Sequence, residues 1–274
     1  VSVASKQAPL LIERQGSIAI VTFNRPDVHN AMNPETICRL ADAWEEINAA
    51  ADIRVAVITG AGDRTFCSGG DLGTALPILT GAREPEDEWD RRLAEDPDLA
   101  GRATLKGVDM DKPVIAAING NCLAGGMELA LGCHLRIAAE GSRFALPEPK
   151  HGLIPFGGAL VRLPRQVPQV RAMEILLTGD FFSAADALEF GLLNRVVAKD
   201  QVLPAAIALA ERIASNGPLA VSEIIRVVNK ASGRPFDDAF EIETQGMKKI
   251  MVSADAREGP AAFIAKRVPV FKGC

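Results

Sequence analysis

Two apolar runs, Val55–Thr59 and Val114–Ile118, show no alternation of polar and apolar side chains, and each stops at a glycine turn, Gly60-Ala61-Gly62 and Asn119-Gly120. A strand with no polar face must be covered on both sides, which is the condition of strands in parallel sheets flanked by helices. Such sheets need helical crossovers, and the chain supplies one. Between Pro34 and Ala50 the apolar residues Ile37, Leu40, Ala41, Trp44 and Ile47 share one helical face, with Asn33 placed to cap it and Pro34 at its first position. Ahead of this helix, Leu10–Glu13 and Ser17–Phe23 flank Gln15-Gly16 as the arms of a hairpin do. The chain is therefore expected to be α/β, with βαβ crossovers.

Strand signals fade after about Pro164. Helical periodicity then runs through Val167–Leu177, Ala184–Phe190, Val202–Ser215, Leu219–Lys230, Phe236–Ile250 and Ala254–Lys266. This divides the chain into a core over residues 1–200 and a helical region over residues 201–274. Between Thr74 and Lys112 the composition turns to charge and proline, with most of the acid in Arg83–Asp98; a solvated helical excursion or lid is expected there rather than a second domain. No repeat of fixed period and no low-complexity tract is present.

Composition removes several classes of function. The chain has no tyrosine, so a catalytic tyrosine is excluded. Its net charge of −5, with both signs interspersed, offers no basic face to nucleic acid. The cysteines, Cys38, Cys67, Cys122, Cys133 and Cys274, are odd in number and lack C-x-x-C spacing, which fits reduced thiols in a cytoplasmic protein better than a zinc or redox site. No run reaches the length needed to cross a bilayer, and VSVASKQAPL lacks the charged-then-apolar pattern of a leader.

Three segments hold more glycine and carboxylate than structure alone requires. FCSGGDL, Phe66–Leu72, follows the strand at Val55 across a loop, and Gly69-Gly70 permits backbone angles that aim N–H groups inward. CLAGGMELA, Cys122–Ala130, puts Gly125-Gly126 after a strand and at a helix start, where unsatisfied amides and the helix dipole favour developing negative charge. Glu128 lies in the first turn of that helix. In RFALPEPKHGLIPFGG, Arg143–Gly158, two prolines bracket Glu148 and hold it in a stiff, non-helical loop. Other nucleophile and nucleotide signatures are missing: Ser68 sits in C-S-G-G rather than in a G-x-S-x-G elbow, and the Gly60-Ala61-Gly62 turn has neither a third glycine nor a P-loop lysine. His29, His134 and His151 are scattered singly, and only His151 is close in sequence to a candidate carboxylate.

In this order and spacing the three segments resemble the crotonase (enoyl-CoA hydratase/isomerase) superfamily, with its glycine-rich loop, its GG-x-E helix start and its later P-E motif. NRPDVHNAM (Asn24–Met32), LTGDFFSAADALEFGLLNRVV (Leu177–Val197) and FIAKRVPVF (Phe263–Phe271) look like further family segments, so the likeness spans nearly the whole chain apart from the charged excursion. The resemblance implies a spiral of repeated ββα units, CoA binding and catalysis within residues 1–200, and a helical trimerisation region assembling a homotrimer or a hexamer of two trimers. It implies oxyanion-hole amides at Ser68 and Gly125, an acyl-CoA path along Ser68, Gly69, Gly70, Asp71 and Leu72, further contacts from Gly126 and Phe156, and a CoA phosphate contact from Lys266 toward a neighbouring subunit. Glu128 and Glu148 match the two hydratase glutamates.

The activity so implied is reversible addition of water to a 2-enoyl-CoA thioester. Backbone amides hold the enolate, Glu128 assists deprotonation of water, and Glu148 supplies the α-proton, the pair sharing protons between them. No metal or redox cofactor is expected, because the thioester supplies the activation and coenzyme A arrives as part of the substrate. Two departures from the family pattern bear on the pocket: Phe156 stands where a small residue is usual, and Asp27 stands where a base often follows N-R-P. Three readings stay open: a hydratase or dehydratase of an enoyl-CoA, an isomerase that shifts the double bond, and a CoA-binding scaffold subunit without turnover.

Overall fold

A computed structural model describes residues 8–274. The expectation about the amino end bears on residues 1–7, which lie outside the described residues. The hairpin forms from β1 (Leu10–Gln15) and β2 (Ile18–Phe23), paired antiparallel with Leu10 opposite Phe23 and Gln15 opposite Ile18. Helix α1 (Pro34–Ala49) begins as its sequence demands, Asn33 accepting the Thr36 N–H at 3.0 Å.

From there the chain climbs by a repeated pattern. A strand enters one sheet, the next strand enters a second sheet, and a helix returns. The first turn is β3 (Val55–Gly60), β4 (Thr65–Cys67) and the helices α2 (Ala75–Leu79), α3 (Glu88–Glu95) and α4 (Leu99–Ala103). The second is β5 (Val114–Ile118), β6 (Asn121–Leu123) and α5 (Gly125–Gly132); the third is β7 (Leu135–Ala139) and β8 (Arg143–Ala145), followed by α6 (Ala159–Gln166) and α7 (Gln169–Thr178). After β9 (Phe182–Ser183), α8 (Ala184–Glu189) and β10 (Arg195–Val197), four helices close the chain: α9 (Val202–Ala214), α10 (Pro218–Ala231), α11 (Phe236–Met251) and α12 (Ala254–Ile264). The larger sheet has the order β1-β2-β3-β5-β7-β10, parallel beyond the hairpin, and the smaller has the order β4-β6-β8-β9. This is the α/β spiral of ββα units that the motifs imply.

The unalternating strands are covered on both faces, as their composition requires. Val55, Val57, Ile115, Ala117 and Ile137 meet Val202, Ala206 and Ala210 of α9, while Ala56, Ile58, Ala116 and Ile118 face the main core with Leu40 and Trp44 of α1. Helix α9 is therefore a layer of the core, although the sequence division at residue 200 puts it in the terminal region. The short strand β10, set among helical signals, continues the larger sheet beside β7.

The charged excursion is not a solvated lid. Leu93, Leu99, Ala103 and Leu105 are buried in the core, and the Trp44 indole N–H donates to the Ala103 carbonyl at 3.0 Å. Its charges are satisfied locally: Arg83 pairs with Asp90, Arg92 with Asp42 and Arg102 with Asp96. Among the described residues no helix is long and apolar enough to cross a membrane.

Candidate active site

Three site segments follow three successive strands of the smaller sheet: Ser68–Leu72 follows β4, Gly125–Glu128 follows β6, and Glu148 follows β8. They converge on a cavity of about 670 Å³ counted to its open mouth, which Gly70, Leu72, Gly125, Glu128, Glu148 and Phe156 help to line. Leu72 and Phe156 stand exposed at its rim.

The loop after β4 is held as a ribbon against residues 29–32. The Ser68 N–H donates to the His29 carbonyl at 3.2 Å, the Met32 N–H to Gly69 O at 2.8 Å, and the Asp71 N–H to Met32 O at 2.9 Å. This pattern corrects the expected oxyanion donor. The Ser68 amide is committed to His29, and Ser68 does not line the cavity, whereas the Gly70 N–H has no acceptor among the described residues and Gly70 does line it. Gly69 serves the ribbon rather than a ligand: its φ is +97°, and a Cβ there would fall 2.6 Å from the Ala124 Cβ, so only glycine lets the two site loops touch. Asp71, expected along the acyl path, instead turns its carboxylate to Arg25 at 2.9 Å and to the Gly73 N–H at 3.1 Å. That ion pair pins the loop from behind.

Gly125, the other expected donor, lines the cavity. Ala124 takes a φ of +48°, rare for a residue with a Cβ, and Gly125 then opens α5 with an N–H that no residue four positions earlier can accept. A Cβ on Gly125 would come 3.6 Å from the Gly70 nitrogen, so the two amides border the same space. Gly126 lies one step round the helix, pressed on Cys67, and does not line the cavity.

Both carboxylates are buried. Glu128 accepts the Ala159 N–H at 3.0 Å. Burial raises its pKa above the usual carboxylate range, opposed in part by the amides of Ala159 and Gly157 and by the charges of Arg162 and Lys106. Glu148, set in a non-helical loop by the sequence reading, opens a 3₁₀ turn, Glu148–His151, because Pro149 at its second position suits a helical start. Its Oε2 is buried without a hydrogen-bond partner among the described residues. Burial chiefly, with the like charge of Glu128, pushes this carboxyl up to about 7. Both carboxyls are thus raised by burial, but only Glu128 has neighbouring amides and cations opposing the rise, so Glu148 is the better placed of the two to keep a proton near neutrality, as an acid working beside a base requires.

The remaining candidates lie apart. Lys266 is exposed just beyond α12 and lines no part of this cavity. His151 is exposed, His29 Nδ1 meets the Thr65 hydroxyl at 3.2 Å, and His134 accepts the Val114 N–H at 3.0 Å and is driven by burial down to about 4. Sequence reasoning put Gly70 on the acyl-CoA path without singling out its amide, and it passed over Arg25, whose N-R-P motif carries no hint of its reach to Asp71.

The enoyl-CoA hydratase/isomerase family model matches residues 13–274. The chain is 41% identical over 262 residues to the enoyl-CoA hydratase EchA19 of Mycobacterium tuberculosis, covering 96% of each chain, and 36% identical to the carnitinyl-CoA dehydratase of Salmonella typhi, covering 96% of this chain and 98% of that one. Among solved structures, an enoyl-CoA hydratase from Bacillus anthracis superposes with a TM-score of 0.88 at 32% identity, covering 97% of this chain and all of that one. Another from Mycobacterium tuberculosis H37Rv gives 0.86 at 37%, covering 98% of this chain and all of that one. Paired carboxylates beneath two unengaged amides, carried on this spiral and matched along nearly its full length, make the chain a member of the enoyl-CoA hydratase/isomerase family.

Proposed function

We propose that this protein is an enoyl-CoA hydratase, adding water reversibly to a 2-enoyl-CoA thioester to give a 3-hydroxyacyl-CoA. The observation that carries the reading is the pairing of Glu128, steadied by amides and a cation, with Glu148, protonated near neutrality, in one cavity bordered by the Gly70 and Gly125 amides. Water held between the carboxyls loses a proton to Glu128 as its oxygen bonds to C3. The double-bond electrons shift to the thioester oxygen, which the two amides stabilise as an enolate. Glu148 then gives its proton to C2, and proton exchange between the pair restores the starting state. Preorganised amides of this kind contribute about 3–4 kcal/mol each to the transition state. The scheme uses no metal or redox group, and coenzyme A enters with the substrate.

Past the carboxyls the wall is Met32, Ile37, Ala75, Leu76, Leu79 and Leu153, a surface for a hydrocarbon acyl group rather than a charged one. Exposed Phe236, Phe240, Phe263 and Ile264 on α11 and α12 support assembly into a homotrimer or a dimer of trimers. Five unpaired cysteines support a reducing, cytoplasmic setting.

The test follows loss of enoyl absorbance across a panel of straight and branched 2-enoyl-CoAs. Wild type should turn over, and Glu128→Gln should fall by about 10²–10⁴-fold while still binding a 3-hydroxyacyl-CoA. Full activity in Glu128→Gln would sink the assignment.

A further inference from the structure

Beside Glu128 lies a half-buried cation, Arg162, whose hydrogen bonds the scheme above does not use. Arg162, on α6, donates through one nitrogen to the Thr104 carbonyl at 2.8 Å and, more loosely, to those of Gly157 at 3.4 Å and Glu128 at 3.5 Å. Its other terminal nitrogen donates to Leu105 O at 2.5 Å. Leu105 holds a φ of +60°, a strained angle for leucine that this bond helps to maintain. The Thr104 hydroxyl donates to Gly157 O at 2.8 Å. One side chain therefore ties the end of α4, the loop that donates amides to Glu128, and the helix that carries Glu128.

The fold makes room for this guanidinium. A Cβ on Gly132 would lie 2.8 Å from its Nη1, and one on Gly158 would lie 2.9 Å from it. On its far side Arg162 borders a second cavity, which Cys133, His134, Arg136, Gln166 and Asn229 also line. It is thus the partition between that cavity and the glutamate.

We infer that Arg162 is a positioning residue for the hydration step, fixing the amide cradle of Glu128 and placing a positive charge beside it. The inference rests on the reading of Glu128 as the base. The charged and titratable groups facing Glu128 are Glu148 from the 3₁₀ turn, Lys106 from the turn after α4, and Arg162 from α6. Those facing Arg162 besides Glu128 are Cys133, whose thiol burial pushes up to about 12, and His134 and Arg136, which bear on the same pocket. Near neutrality Cys133 and His134 are uncharged. Arg136 is engaged by its bonds to the Ala130, Cys133 and Leu192 carbonyls, whereas Arg162 and Lys106 are the cations acting on Glu128.

The experiment is the pH profile of kcat/KM for wild type, Arg162→Met and Arg162→Lys on the best enoyl-CoA, with added methylguanidinium as a probe entering from the second cavity. Arg162→Met should lose about 100-fold in kcat. Its acidic limb should move up by about one pH unit as Glu128 loses its cation. Methylguanidinium should restore part of the rate saturably, and potassium at equal ionic strength should not. Arg162→Lys keeps the charge but not the fork, so its limb should stay in place while kcat falls about 10-fold. If Arg162→Met does not accumulate as folded protein, the lysine variant alone decides: a wild-type kcat overturns the inference. An unmoved limb in folded Arg162→Met overturns it as well, whereas a wild type silent on every enoyl-CoA removes the hydratase reading first.

Discussion

Replacing Glu148 with glutamine separates the catalytic use of this carboxyl from its effect on the fold. In the native protein the carboxyl holds its proton up to about 7, against 4.5 for an ordinary glutamate. The folded chain therefore binds more protons than the unfolded one between those values. Its stability contribution is whole below 4.5 and is lost as pH rises through about 7. At 1.36 kcal/mol per pH unit the gap corresponds to about 3 kcal/mol, and to about 2 kcal/mol once solvent at the cavity mouth is allowed for. Glutamine cannot ionise, so the variant escapes this loss. Urea unfolding of both proteins at matched protomer concentration, from pH 5 to 8.5, should give stabilities whose difference grows in the variant's favour by about 2 kcal/mol, with most of the change between pH 5 and 7 and a plateau above. Taking the difference cancels the titration of the other groups. Curves that stay parallel, or that diverge in the wild type's favour as pH rises, would refute the burial argument, and with it the case for Glu148 as the proton donor.

Two further perturbations test the frame around the carboxyls. Gly125→Ala places a Cβ 2.9 Å from the Met32 Cε and beside the Gly70 nitrogen, filling the space an enolate oxygen needs; kcat should fall by about 10²–10³-fold in steady-state assays, with the unfolding midpoint little changed. Trp44→Phe removes the donor to the buried Ala103 carbonyl, which should cost about 1–3 kcal/mol in urea unfolding and, because Ala103 lines the cavity, raise KM for long acyl groups more than for short ones.

Much of this architecture was legible in the chain because its strongest signals are local. Strands without a polar face, the Asn33-Pro34 helix start, and a glycine pair between a strand and a helix each have few structural solutions. Glu128 and Gly125 could be placed for that reason. The donor after β4 could not, since the choice between Ser68 and Gly70 depends on the hydrogen-bond phase of a ribbon made with His29 and Met32, far back in the chain. The excursion misled because its acids and arginines pair with one another, while Leu93 and Leu99 face inward from helices too short to show a period. Arg162 was silent too: in LVRLPRQ it reads as the polar side of an amphipathic helix, and only the folded chain shows what lies behind it.

The succession of β4, β6 and β8 has a consequence for how such a site can change. Neighbouring strands of a sheet are held about 4.8 Å apart by peptide hydrogen bonds, whatever their side chains. The amide after β4, the amide after β6 and the carboxyl after β8 therefore sit on consecutive rungs of one ladder, at a pitch that point substitution cannot stretch. In the proposed reaction two rungs hold the thioester oxygen and the third presents a reactive group. New chemistry can be written on that third rung, or on the first turn of α5, while the grip on the carbonyl is inherited unaltered.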